Sequence, residues 1–331
     1  MTRSGVLAAA LASAALTGCQ GAQSAFDPAG VEAERVLTLF WIMLAGGAAI
    51  WIVVIGISYY AVKGKSGPYS DRSGIRLIVW GGCVFPVVVL AGLLWWGLTM
   101  MQELRRAADG PTIAVSAERF WWRVAYAVDG EPGVIRNLPR GGVPSAHEIW
   151  IPLGKRTEIL LSSPDVIHSF WVPPLAGKID AIPGRVNRLV LEPTSPGVFN
   201  GACAEYCGTA HTYMGFRVVV VPQAELEAYV ASQALPAAVV NGPGAGLFLQ
   251  NGCAACHTVR GTPADGAVGP DLTHVASRRT IAAGVLPTTV ENLAAFIRST
   301  EHLKPGVEMP AFGMLPEEEI TAIAKWLGTL E

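Results

Sequence analysis

The sequence is short of charge. Of its 331 residues, 15% are charged and 51% are apolar, and the formal net charge is −2. An ordinary soluble protein carries more charge than this, so the apolar excess must sit somewhere specific. Basic runs are also missing: none exceeds Arg105-Arg106 or Arg278-Arg279, which leaves no electrostatic footprint for nucleic acid. No acidic residue occurs between Asp71 and Glu103. Cysteine is scarce, with six in the chain, yet four of them fall into two compact clusters. There is no internal repeat and no low-complexity tract.

The apolar excess lies near the N-terminus. Arg3, an apolar small-residue run from Val6 to Leu16, and Leu16-Thr17-Gly18-Cys19 read as an export signal. Its ending resembles a bacterial lipoprotein signal, which implies cleavage before Cys19 and lipidation of that cysteine. An ordinary cleaved signal with an incidental cysteine is the alternative. Leu37 to Val62 and Leu77 to Met101 are free of charge over 26 and 25 residues, and about 20 apolar residues span a bilayer as a helix. Pro86 lies inside the second run, where a membrane helix tolerates it with a kink. The connecting loop, residues 63–76, holds Lys63, Lys65, Arg72 and Arg76 against Asp71, and short basic loops stay cytoplasmic. Both outer ends of the hairpin then face the exported side.

Residues after about 102 change texture. "EIWIPL", "TEILLSS", "NRLVLEP" and "GFRVVVV" read as strands, and "EPGV", "LPRGG" and "PTSPG" as turns. Short strands without intervening helices predict a small β-sandwich or barrel. "QAELEAYVASQ" then predicts a helix, and residues 234–244, with Pro236, Gly242 and Pro243, a linker. The remainder predicts helices around Ala245 to Gly252, Val290 to Ser299 and Glu317 to Leu330. Three glutamates open the last of these, as suits a helix N-terminus.

"CAEYCGTAHTYM", residues 203–214, combines Cys203, Cys207, His211 and Met214, and His168 stands 35 residues before Cys203 in "VIHSFWVP". In an exported compartment two such cysteines can form a disulfide. Their companions argue otherwise: two thiolates, two imidazoles and a thioether form a soft set that suits copper. A single blue copper needs one cysteine, so the extra thiolate points to two coppers bridged by both sulfurs. These residues, with "LAGKIDAIPGRVN" and the preceding hairpin, resemble the dinuclear copper A region of cytochrome c oxidase subunit II, over about residues 25–222. The resemblance implies bridging by Cys203 and Cys207, one of His168 and His211 on each copper, and Met214 as a weak ligand. It further implies that the Glu205 backbone carbonyl is a weak ligand and that its carboxylate reaches a magnesium ion shared with subunit I. The family's aromatic patch for receiving electrons from cytochrome c corresponds to Phe120, Trp121 and Trp122. Phe120 departs from the tryptophan usual there, and aromatic packing is the other reading. The family's proton-admitting glutamate in the second helix has no counterpart here.

"CAACH" is the attachment signature of a c-type haem, with Cys253 and Cys256 as thioether sites and His257 on the iron. A thioredoxin-like motif would need a βαβ setting, and zinc would need two further ligands. Met309 and Met314 are the methionines downstream, with His274 and His302 as competitors for the sixth position. "KPGVEMPAF" resembles the methionine loop of class I cytochromes c, which favours Met309, and "GAVGPDLTHV" resembles the segment whose proline carbonyl, here Pro270, steadies the proximal histidine.

Together the two clusters resemble subunit II of a caa-type cytochrome c oxidase. The resemblance implies a multi-domain membrane protein: signal peptide 1–18, exported segment 19–36, transmembrane hairpin 37–101, cupredoxin-like copper A domain 102–222, helix and linker 223–244, and all-α cytochrome c domain 245–331. It implies a bacterial inner membrane location with both ends on the periplasmic side. Expected cofactors are two coppers, one covalent haem c and magnesium; expected partners are subunit I, the other oxidase subunits, a cytochrome c or similar donor, and the bilayer. Electrons would pass from donor to haem c, to copper A, to subunit I, where oxygen reduction and proton pumping occur. The tether, roughly ten to twenty residues, would hold the haem domain at about millimolar effective concentration. A nitric oxide reductase on the same plan, and a membrane-anchored copper or thiol-redox assembly factor, remain as alternatives.

Overall fold

The structure is a computed structural model that describes residues 19–64, 70–104, 106–126 and 142–331. The signal peptide, Lys65 of the basic loop, and the "EPGV" and "LPRGG" turns up to residue 141 lie outside them. The chain divides into two compact units, residues 35–107 and the remainder.

The smaller unit is helical. Helix α1 spans Val31–Lys63. The second apolar segment runs as α2 (Asp71–Leu77), a π-helical stretch (Ile78–Val84) and α3 (Phe85–Leu104). Both rods are long and apolar enough to cross a membrane. The π-helical turns end at Val84, two residues before Pro86, with the Phe85 N–H donating to the Trp80 carbonyl. Proline has no N–H and its ring crowds the carbonyl four residues back, and a widened turn at that point relieves the conflict.

Among the described residues of the larger unit, ten strands form two five-stranded sheets. The strands are β1 (Thr112–Glu118), β2 (Trp121–Tyr126), β3 (Val143–Ala146), β4 (Glu148–Pro152), β5 (Thr157–Ser162), β6 (His168–Trp171), β7 (Ile179–Ala181), β8 (Asn187–Leu191), β9 (Gly197–Cys203) and β10 (Gly215–Val221). One sheet is ordered β3-β2-β1-β5-β8 and the other β4-β10-β9-β6-β7. The pairs β1–β5 and β4–β10 are parallel and the others antiparallel. Alternation in β5, where Thr157, Ile159 and Leu161 are buried, turns one face of its sheet inward. Trp122, Phe170 and Phe216 fill the space between the sheets. At Gly201 on β9 a Cβ would lie 2.2 Å from the Phe216 ring, so glycine lets the aromatic core reach the strand that delivers Cys203.

Residues 29–31 at the head of α1 are strapped to this sandwich. Ala29 donates to the Pro174 carbonyl at 2.7 Å, Val31 to Glu192 at 3.0 Å, and Thr194 donates to Ala29 at 2.8 Å.

Helix α4 (Gln223–Ala234) lies on the sandwich, its Tyr229 stacked on Trp150 with ring centroids 4.3 Å apart. Then come α5 (Pro243–Gln250), a short hairpin of β11 (Thr280–Ile281) and β12 (Leu286–Pro287), α6 (Val290–Arg298), α7 (Thr300–Leu303) and α8 (Glu317–Leu327). Phe248, Leu293, Ile297, Ile323 and Leu327 belong to the core these helices share. The expected linker is anchored at several points. Ala237 is buried in the helical core, the Val239 carbonyl accepts from Trp326 Nε1 at 3.0 Å, and Arg260 binds the carbonyls of Gln233 and Ala234. Pro236 follows the end of α4, and Gly242 and Pro243 open α5; the segment between them is held at Ala237 and Val239, while Ala238 and Asn241 are exposed.

Candidate metal centres

Strand β9 ends at Cys203, the loop to β10 carries Glu205, Cys207, His211 and Met214, and strand β6 begins at His168. The two sulfurs, Cys203 Sγ and Cys207 Sγ, are 3.8 Å apart and unbonded. His168 Nδ1 lies 3.9 Å and the Glu205 carbonyl oxygen 3.2 Å from Cys203 Sγ. His211 Nδ1 lies 3.6 Å and Met214 Sδ 3.9 Å from Cys207 Sγ. Each sulfur thus has one imidazole and one weak donor beside it. Among the described residues, His168, Cys203 and Cys207 form a buried group whose donor atoms all lie within 4.8 Å of one another. An enclosed soft donor set with two unjoined sulfurs fits a pair of copper ions. The Cys207 hydrogen bond holds Cys203 well below the usual thiol range, and pushes Cys207 up in return: one proton serves two sulfurs, and metal displaces it.

Asp165 was not singled out from the sequence. Its carboxylate accepts from His168 Nε2 at 2.8 Å and from the Arg119 N–H at 2.8 Å. Burial opposes its charge, but the His168 bond and the N–H groups of Val166 and Arg119 outweigh this and lower it to about 2. Burial likewise opposes the charged form of His168, and its bonds to Asp165 and Cys203 raise it on balance. The contact fixes the tautomer, with Nε2 protonated and Nδ1 left for metal. The D-x-x-H spacing is the sequence signal for it. Asp165→Asn is expected to lower copper affinity by about 10–100-fold, read by competition with a chelator on the purified protein.

The Glu205 carboxylate is exposed and 3.8 Å from Lys178 Nζ. The three aromatics separate. Trp122 is buried in the core, its Nε1 donating to the Met214 carbonyl at 3.3 Å. Phe120 and Trp121 instead line a cavity toward the helical domain. Phe120 also sits against Gly208, where a Cβ would come within 3.0 Å of its ring.

That cavity has a volume of about 230 Å³, and Cys253, Cys256, His257 and Met309 stand on its wall. The two cysteines are unpaired. His257 Nδ1 donates to the Pro270 carbonyl at 2.8 Å, which leaves Nε2 as the lone-pair nitrogen. Burial pushes His257 down, against the Pro270 bond, toward the neutral ring a metal requires. At Gly269 a Cβ would lie 2.5 Å from the imidazole, so glycine makes room for the ring. Met314 is 76% exposed and His302 is exposed. His274 is buried between the carbonyls of Leu235 and Glu331. Of these four candidates, only Met309 faces the cavity. An apolar cavity with two thiols, an oriented imidazole and a thioether fits a covalently held haem.

Two helices long and apolar enough to cross a membrane, a cupredoxin-like sandwich with a paired-sulfur cluster, and a cytochrome-like helical domain define a protein of copper and haem redox type. The family model described as "Cytochrome C oxidase subunit II, periplasmic domain" matches residues 138–221, and the one described as "Cytochrome c" matches residues 242–331. Cytochrome c oxidase subunit 2 of Alkalihalophilus pseudofirmus is 32% identical over 337 residues, 96% of this chain and 94% of that protein. Its counterpart from Bacillus sp. PS3 is 31% identical over 70% of this chain and 65% of its own length. The solved periplasmic domain of subunit II of cytochrome oxidase from Bradyrhizobium japonicum is 30% identical, covering 39% of this chain and 95% of that one, with a TM-score of 0.32. The chain belongs to the cytochrome c oxidase subunit II family, in a form that carries a cytochrome c domain behind the copper domain.

Proposed function

We propose that this chain receives electrons for a respiratory haem–copper oxidase, with transfer from an external donor to the cytochrome domain, on to the copper domain, and then to subunit I. The carrying observation is the shared cavity: Phe120 lines it beside Cys253, Cys256, His257 and Met309, and packs against Gly208, the neighbour of Cys207. Copper and haem, when bound, each take up and release one electron. Cys203, Cys207, His168 and His211 would hold two coppers, with Met214 and the Glu205 carbonyl as weak donors. Cys253 and Cys256 would hold the haem, with His257 and Met309 on its iron. Enclosure of the copper donors in a stiff sandwich keeps their rearrangement on electron transfer small. Phe120 and Trp121 are the aromatics at the exchange face.

The exposed Glu205 carboxylate is the group that would meet a magnesium ion from subunit I. The straps from residues 29–31 to the sandwich put the start of α1 beside the copper domain, which supports a periplasmic location for both, two membrane spans, and lipidation at the exposed Cys19. The domain limits of this reading are 19–36, 37–101, 102–222, 223–244 and 245–331, after removal of 1–18.

Purification of the membrane complex through a tag on this chain tests the reading. The expected result is co-purification of subunit I, a haem-stained band at this chain's mass on a denaturing gel, and oxygen uptake from a reduced cytochrome donor. A colourless band, or uptake of nitric oxide in place of oxygen, contradicts it.

A further inference from the structure

Lys304 opens the loop that leads to Met309, and it is 2% exposed. A lysine is almost never buried this completely without partners. Its Nζ donates to the Phe120 carbonyl of the copper domain at 2.6 Å and to the Ala282 carbonyl of the cytochrome's own β11–β12 loop at 3.0 Å. Burial pushes the amine down to about 7, with the Cys207 charge opposing. The neutral amine keeps two N–H groups and the ammonium three, so both carbonyls are served in either state.

Neighbouring contacts converge on the same place. Ala282 and Ala283 hold left-handed backbone, with φ of 53° and 60°, a conformation that alanine adopts only when its surroundings impose it. The Ala283 carbonyl accepts the N–H of Gly215, the residue after Met214, at 2.9 Å. A Cβ at Gly306 would lie 2.8 Å from Thr209 Cβ, in the copper loop. Arg123, stacked over Trp121 at 4.4 Å, donates to the Ala267 carbonyl at 2.9 Å. The cytochrome loops thus touch the copper domain at Phe120, Thr209 and Gly215, around the cysteine–methionine loop.

We propose that Lys304 is a docking lock that fixes the cytochrome domain on the copper domain, with the haem cavity held against Phe120. The two domains then work as one rigid pair, and not as a tethered domain that must search for its acceptor. The inference rests on the reading that one electron passes from the cytochrome domain, which is oxidised, to the copper domain, which is reduced. Lys304 is a positioning residue in that transfer. Without its donors the buried Phe120 carbonyl and the partly buried Ala282 carbonyl lose this partner, which shifts the balance between docked and undocked forms by about tenfold or more.

The test uses the whole purified complex with Lys304→Met, Lys304→Gln, and a flexible insert of about twenty residues between the exposed Leu235 and Pro236. Hydrogen exchange is the first readout. In Lys304→Met, peptides covering residues 119–123 and 209–217 are expected to exchange about tenfold faster or more, while β5 and β8 are unchanged. Lys304→Gln, which keeps N–H donors, restores part of the protection. Flash photoreduction of haem c is the second readout. With Lys304 present, the insert is expected to change the haem-to-copper rate by no more than about twofold, whereas in Lys304→Met it slows the rate by about tenfold, because only an undocked domain feels its tether. Unchanged exchange in Lys304→Met, or equal slowing by the insert in the lysine-containing chain, overturns the lock. No transfer at all in the unmodified complex overturns the functional reading instead, and the exchange data still judge the lock.

Discussion

Cys203→Ser or Cys207→Ser is expected to stop respiration through this chain: copper content of the complex falls by up to two per haem c, and oxygen uptake falls by about a hundredfold or more. The two sulfurs stand 3.8 Å apart at the centre of the donor set, with the imidazoles and weak donors outside them. Serine keeps the size but replaces a polarizable thiolate with a hard hydroxyl that holds its proton at neutral pH. One remaining thiolate would leave two copper ions a single soft anionic donor in place of two, and a donor set built from soft ligands would hold them poorly. Changes one shell further out already cost about 10–100-fold in metal affinity, so loss of a bridging sulfur must cost more. Elemental analysis and an oxygen electrode read the result. Full copper content with undiminished uptake in either variant contradicts the assignment.

The double change Cys253→Ala with Cys256→Ala is expected to remove the haem stain from the chain and to unfold its C-terminal domain. The helices there do not close on one another. Phe248, Leu293, Ile297, Ile323 and Leu327 border a space of about 230 Å³. At roughly 24 cal/mol per Å³, leaving such a space unfilled costs on the order of 5 kcal/mol, and small domains have only about 5–15 kcal/mol in total. Limited proteolysis is the check: cleavage is expected to begin after about residue 235 and to leave the copper domain intact. A variant that resists protease as well as the parent contradicts the view that haem completes this core.

Much of this architecture was legible because its signals are local. β5 and β10 follow from runs of β-branched residues, and α8 follows from its glutamates and from Ile320, Ile323, Ala324 and Leu327, which are buried as their spacing requires. The metal-ligand candidates were legible because soft donors at short spacing are rare in a chain with six cysteines. β1 and β2 were harder: "ERFWWRVAY" draws attention as an aromatic patch, while the structure divides it into a turn and a strand with Trp122 facing the core. At Pro86 the expectation was a kink, and the structure meets the missing N–H with π-helical turns just before it.

What escaped the sequence depends on contacts between distant segments. Lys304 reads as a solvated surface lysine until Phe120, 184 positions away, is found against its amine. Residues 234–244 contain the breakers of a flexible linker, and composition does not report that Trp326 and Arg260 fasten the chain there. Asp165 stands three residues before His168, but its other partner, the Arg119 N–H, lies 46 positions away.

The most direct measurement is the intact mass of the matured chain, released from the membrane complex under non-denaturing conditions. The account predicts additions equal to two copper ions and one haem, with Cys203 and Cys207 unoxidised. A mass without copper, together with a disulfide joining Cys203 to Cys207, would contradict it.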